Sequence, residues 1–112
     1  MKTLEQFAQE ITEKIEMPHA LSTLQLEMAT KYASIATIQK ELRIKKATFW
    51  MQRKQFVGEK RKSDKEIELE WNATEEGEKD LRATLEEKAL TKLMSACKAH
   101  LRILTEEARN QM

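Results

Sequence analysis

Arg43, Lys46, Trp50, Arg53 and Lys54 are the residues whose types and spacing most suggest chemistry. At about 100° per residue, all five fall within about 100° on one helix face. Four cations around an indole can follow a phosphate backbone while the ring stacks on a base. That is the equipment of a sequence-independent single-strand binder, whose affinity is dominated by phosphate contacts. Lys60, Arg61 and Lys62 extend the basic run, with Lys65 beyond them. A plainer reading stands beside this one. Basic residues on a long helix usually mark its solvated face, and Trp50 can pack on Trp71 or on a neighbouring subunit.

Catalytic chemistry has no comparable support. The chain contains no nucleophile with its base, no phosphate-cradling glycine loop and no HExxH-type motif. Catalytic and binding groups are disproportionately carried on loops, and this sequence offers few. No catalytic residue and no cofactor are therefore expected. Cys97 and His100 sit three apart and could share a metal in geometry. The only other histidine, His19, is remote in sequence, so a full set of ligands would need several chains. A small buried thiol beside a rim histidine is the reading preferred here, and no metal site is expected.

Charge is distributed in blocks. Residues 40–65 carry 10 basic and 3 acidic groups, and residues 66–87 carry 2 basic and 9 acidic, within a chain of net charge +1. A strongly basic stretch directly followed by a strongly acidic one is the main electrostatic feature. If the chain folds back on itself, the acidic block returns close to part of the basic one and is placed to neutralise it.

The elements that must position these groups are helical. Charged residues make up 35% of the 112, aromatics 5%, and there are two glycines and one proline. Such a composition favours long helices or coiled coils, and Val, the usual strand former, occurs once. Thr3 with Gln6 forms a capping box ahead of Leu4, Phe7, Ala8, Ile11 and Ile15, which predicts a helix over 4–16 closed by Pro18. Ser22 with Gln25 repeats the pattern, and an apolar residue then recurs every seven at Leu21, Met28, Ile35, Leu42, Phe49 and Phe56. Leu24 and Ile38 supply alternate positions, while Lys31, Lys45 and Gln52 spoil the others. A coiled-coil-like helix over 21–57 follows. Residues 58–63 read as a polar tip opened by Gly58. A short helix over 64–71 starts at Ser63 and carries Ile67 and Trp71. Thr74 then caps a last helix over 75–109, with acidic residues in its first turn.

That last helix has an apolar stripe of Leu81, Leu85, Leu90, Leu93, Met94, Cys97, Leu101, Leu104 and Ala108. Ala89, Ala96, Ala99 and Ile103 lie off it, which predicts burial on more than one side. The expected fold is all-α, one domain over 1–112: a short N-terminal helix and a long antiparallel, coiled-coil-like helical hairpin. Leu21, Leu24, Leu101 and Leu104 should meet at its open end. A two-helix arm has little interior, so a homo-oligomer is expected, with Leu90, Leu93, Met94, Cys97, Leu101 and Leu104 as its core. No apolar run approaches the ~20 residues of a membrane span. The opening MKTLEQFAQE has no signal-peptide stretch. A lone cysteine allows no internal disulfide, so a cytoplasmic protein is expected.

The runs ELRIKKATFWMQRKQFVGEKRKSDKEIELEW and NATEEGEKDLRATLEEKALTKLMSACKAHLRILTEEARNQM, with the long helix before them, resemble the small helical recombination proteins of tailed phages. Some of these are similar to the UvsY-type recombination mediators of T-even phages. The resemblance covers residues 21–112 and rests on layout. A basic long helix leads to a polar, glycine-containing tip and a short capped return helix. A long last helix with a late apolar, cysteine-containing stretch follows. The resemblance implies a homo-oligomer that binds single-stranded DNA and helps load a recombinase onto strands covered by a single-strand-binding protein. The basic stripe would be the DNA contact and the last helix the oligomer core. A helical protein-interaction module, such as a scaffold or a phage-encoded inhibitor of a host factor, is the alternative of a different class. A metal-dependent nuclease accessory is a third, to be tested by metal analysis.

Overall fold

The computed structural model describes residues 1–54 and 62–110. Every regular element among them is an α-helix: α1 (Leu4–Glu13), α2 (Pro18–Lys54), α3 (Asp64–Asn72) and α4 (Glu75–Asn110). No described helix is long and apolar enough to cross a membrane. Two compact units are formed, one from Met1–Ser34 with Glu86–Met112 and the other from Ile35–Leu85.

In the first unit, Thr3 caps α1 through both bonds of the expected box. Gln6 N donates to Thr3 Oγ1 at 3.2 Å, and Thr3 N donates to Gln6 Oε1 at 2.8 Å. α1 stops at Glu13, three residues before the expected end, with Lys14 as its C-cap. Pro18 does not merely close α1; it opens α2. A proline has no N–H to leave unsatisfied in a first turn, and its fixed φ suits that position. Ser22 therefore lies inside α2 rather than at its start. Phe7 and Ile11 of α1, Leu21, Leu24 and Met28 of α2, and Leu90 and Cys97 of α4 are all buried. The Cys97 thiol donates to the Leu21 carbonyl oxygen at 3.4 Å, and the Tyr32 hydroxyl donates to Glu87 Oε1 at 3.3 Å. Partners that advance along α2 and retreat along α4 make these two segments antiparallel. Lys2 ties α1 to α2, with Nζ 2.8 Å from both Glu10 Oε2 and Glu27 Oε2.

In the second unit Ile35, Leu42, Ile67, Trp71 and Ala83 are buried. Ser63 caps α3 by accepting from Glu66 N at 3.2 Å. Thr74 turns the chain into α4: its hydroxyl donates to the Trp71 carbonyl at 2.6 Å and accepts from Gly77 N at 3.0 Å. Gly77 is required there by close approach, because a Cβ would lie 1.8 Å from the Trp71 carbonyl oxygen. Trp71 Nε1 donates to Asp80 Oδ2 at 3.4 Å across the same corner.

Two stripe expectations are corrected. Ile38 is 46% exposed rather than inward-facing. A seven-residue repeat drifts about 20° per heptad on a straight 3.6-residue helix. Beyond Ile35 the half-buried neighbours of Leu42 and Phe49 are accordingly Gln39, Lys46 and Arg53, not Ile38, Lys45 and Gln52. On α4, Leu81 and Leu85 are 50% and 66% exposed. They lie roughly opposite the buried row Ala83, Leu90 and Cys97, which repeats every seven residues. Ala96, Ala99, Ile103 and Ala108 are exposed in the single chain.

Candidate nucleic-acid interface

The basic stripe lies in the second unit, and most of it faces α3. Lys46 Nζ is 3.2 Å from Glu68 Oε1, and Lys54 Nζ is 2.8 Å from Asp64 Oδ1. Arg53 Nε is 2.9 Å from Glu70 Oε2, and Lys62 Nζ pairs with the other oxygen of Glu70. The Trp50 indole N–H donates to Asp64 Oδ1 at 3.1 Å. Drift of the α2 repeat explains the arrangement. It rotates Lys46 and Arg53 toward the unit interior, where α3 packs across α2 with Glu68 beside Lys46, Asp64 beside Trp50 and Lys54, and Glu70 beside Arg53.

Aromatic rings add a second set of contacts. Lys46 Nζ stands 5.7 Å from the Trp50 ring centre, and the Arg53 guanidinium carbon 4.4 Å from that of Phe49. Both lie within cation–π range. Phe49 in turn meets Trp71 edge-on at 5.5 Å. Trp71 is thus buried beside Phe49, and Trp50 is half-buried on the basic face.

The local field is mutual. Lys54, and then the Trp50 N–H, hold the Asp64 carboxyl below its ordinary range. Lys62, helped by Arg53 and opposed by partial desolvation, lowers that of Glu70. All these pairs are open to water, where ion pairs are weak and screened by salt. Arg43 is exposed, and no carboxylate among the described residues pairs with it. Lys60 and Arg61 lie outside the described residues.

The structure therefore brings Lys46, Trp50, Arg53, Lys54 and Lys62 onto one acidic strap. Charge counting names Glu68 and Glu70 only as part of the acidic block over 66–87 and places Asp64 inside the basic one. The register of DKEIELE carries the missing signal. Asp64 and Glu68 are four apart and flank the buried Ile67, so an α3 that buries Ile67 and Trp71 must turn acids toward its neighbour.

Of the six residues expected to form an oligomer core, Leu90 and Cys97 are buried within the first unit of the chain itself. Leu93, Met94, Leu101 and Leu104 are half-buried there. Burial raises the Cys97 thiol pKa, which keeps it protonated and unreactive. His100 is half-buried and His19 exposed. No group of three or more metal-ligating side chains occurs among the described residues.

No protein-family model, no curated protein and no solved structure matches this chain.

Proposed function

We propose that this chain is a non-catalytic accessory protein that binds single-stranded DNA through the basic, tryptophan-bearing face of α2. In this reading it acts as a homo-oligomer in recombination, helping to load a recombinase onto strands held by a single-strand-binding protein. The observation that supports it is the gathering of Lys46, Arg53, Lys54 and Lys62 around a half-buried Trp50, with Arg43 alongside. Phosphates would take the cations and a base would stack on the indole. Self-association is supported by large apolar side chains left open, among them Leu26 and Ile103 in the first unit and Ile44, Met51, Leu69, Leu81 and Leu85 in the second.

The test replaces Arg43, Lys46, Arg53 and Lys54 with Gln, followed by fluorescence anisotropy on labelled single-stranded DNA at two salt concentrations. Glutamine is preferable to glutamate because new carboxylates would face Asp64, Glu68 and Glu70 and could dislodge α3 for reasons unrelated to DNA. Four lost phosphate contacts should reduce affinity at least a hundredfold at low salt and flatten the salt dependence, while circular dichroism keeps its helix content. Unchanged affinity would dispose of this reading. A protein-interaction module is the second reading, favoured by the fact that much of the stripe is already paired with α3. It predicts no DNA retention at low salt and a stoichiometric complex with a protein partner.

A further inference from the structure

We infer that α3 is a built-in competitor for the strand: Asp64, Glu68 and Glu70 occupy the cations that phosphates would take, and DNA binds by exchanging with them. This inference rests on the DNA-binding reading above. Three carboxylates on one short helix meet four cations and the Trp50 N–H, and each carboxylate belongs to a contact a phosphate oxygen could make. Glu68 and Glu70 flank Leu69, and Asp64 precedes Glu68 by about one helical turn, roughly 6 Å along the axis.

Relative strengths decide how the exchange happens. The pairs are solvent-open: side-chain exposure is 31% and 45% for Lys46 and Glu68, and 42% and 73% for Lys54 and Asp64. Pairs of that kind are individually weak. Ile67 and Trp71 are by contrast 0% and 3% exposed, and Gly77 packs closely under the Trp71 carbonyl. Prising α3 off would expose both apolar anchors at a cost far above what the ion pairs hold. The helix therefore stays seated while its carboxylate side chains rotate away, and the strand enters over their positions. The Trp50 indole loses Asp64 as its acceptor in that step, freeing the ring to stack. Binding becomes selective for polyanions dense enough to replace several carboxylates at once.

The experiment compares wild type with the triple variant Asp64→Asn, Glu68→Gln, Glu70→Gln. A control triple, Glu13→Gln, Glu106→Gln, Glu107→Gln, makes the same change in net charge on exposed positions of the first unit. The probe is a fluorescein-labelled thymidine oligomer, followed by anisotropy at fixed salt. The α3 triple should bind about tenfold more tightly than wild type, and the control less than threefold. Equal gains in both triples would reduce the effect to net charge and overturn the inference. Binding by wild type with no gain in the α3 triple would overturn it too, leaving the DNA reading intact. No binding by any of the three proteins would sink the DNA reading and this inference together. The single variants Glu68→Gln and Glu70→Gln, each removing one carboxylate, should show part of the gain if the triple loses helix content. Their showing none would overturn the inference as well.

Discussion

The two units are built largely from the same two helices and differ in what fills the space inside each. The first closes on apolar side chains from three helices, with Phe7, Leu21, Leu24, Met28, Leu90 and Cys97 almost wholly shielded from water. Among its described residues the second buries Ile35, Leu42, Ile67, Trp71 and Ala83, and these are edged by ion pairs and cation–π contacts. Apolar burial contributes stability that depends on neither charge screening nor proton binding, whereas exposed charge pairs contribute little and are screened by salt. The same two helices therefore carry a shielded apolar stretch in one unit and a water-open charged stretch in the other.

The sharpest way to break that comparison is to cut a core leucine from the first unit. Leu90→Ala removes a side chain that is 0% exposed and should cost about 2–5 kcal/mol in denaturant unfolding. Leu85→Ala, five residues earlier and 66% exposed, should stay within about 0.5 kcal/mol at high dilution. If Leu85→Ala becomes costly only as concentration rises, the outer face of α4 is covered by a second copy. Equal costs at high dilution would mean that the division into a shielded and an open face is wrong.

The corner of the second unit gives a prediction opposite in sign to helix propensity. Alanine in place of a helical glycine normally stabilises by up to about 1 kcal/mol. At Gly77 the added Cβ would lie 1.8 Å from the Trp71 carbonyl oxygen and 2.9 Å from Asn72 Cα, both backbone atoms that cannot swing aside. Gly77→Ala should therefore destabilise by about 1–3 kcal/mol. Native-state hydrogen exchange should place the loss in 64–85 and spare the amides around Leu24 and Leu90. A stabilised variant would show that the α3–α4 corner is looser than described.

These cases also mark how far the sequence could be read. Helix class, the Thr3, Ser63 and Thr74 caps, and the buried row Leu21, Met28, Ile35 and Leu42 follow from local rules of spacing and hydrogen bonding. Leu81 and Leu85 read as inward from the sequence because a leucine near an apolar stripe looks like part of it, yet they are 50% and 66% exposed. The true row ran instead through Ala83, whose small side chain carries little hydropathic weight. Pro18 was legible as a boundary, but its first-turn role depends on where the chain goes next. For the basic stripe, the residues were legible and their partners were not. Which carboxylate meets which cation depends on α3 doubling back, a long-range fact that charge counting over blocks cannot resolve.

The smallest effect concerns those pairs and tests the comparison from the side of pH. Asp64 and Glu70 have carboxyls held below their ordinary values of 3.8 and 4.5, chiefly by Lys54 and Lys62. A group whose folded pKa is depressed stabilises the native state above its unfolded pKa and loses that contribution as pH falls through the folded value. The combined variant Asp64→Asn, Glu70→Gln should thus melt slightly below wild type from pH 7 to pH 5, and the gap should close below about pH 4. Raising salt at pH 7 should shrink the gap in the same way, since the pairs are open to screening. Leu90→Ala should instead show a deficit nearly constant across the same range, because no proton binds where it acts. A gap at Asp64 and Glu70 that survives acid would mean their side chains act by packing, and the contrast between the two units would lose its electrostatic half.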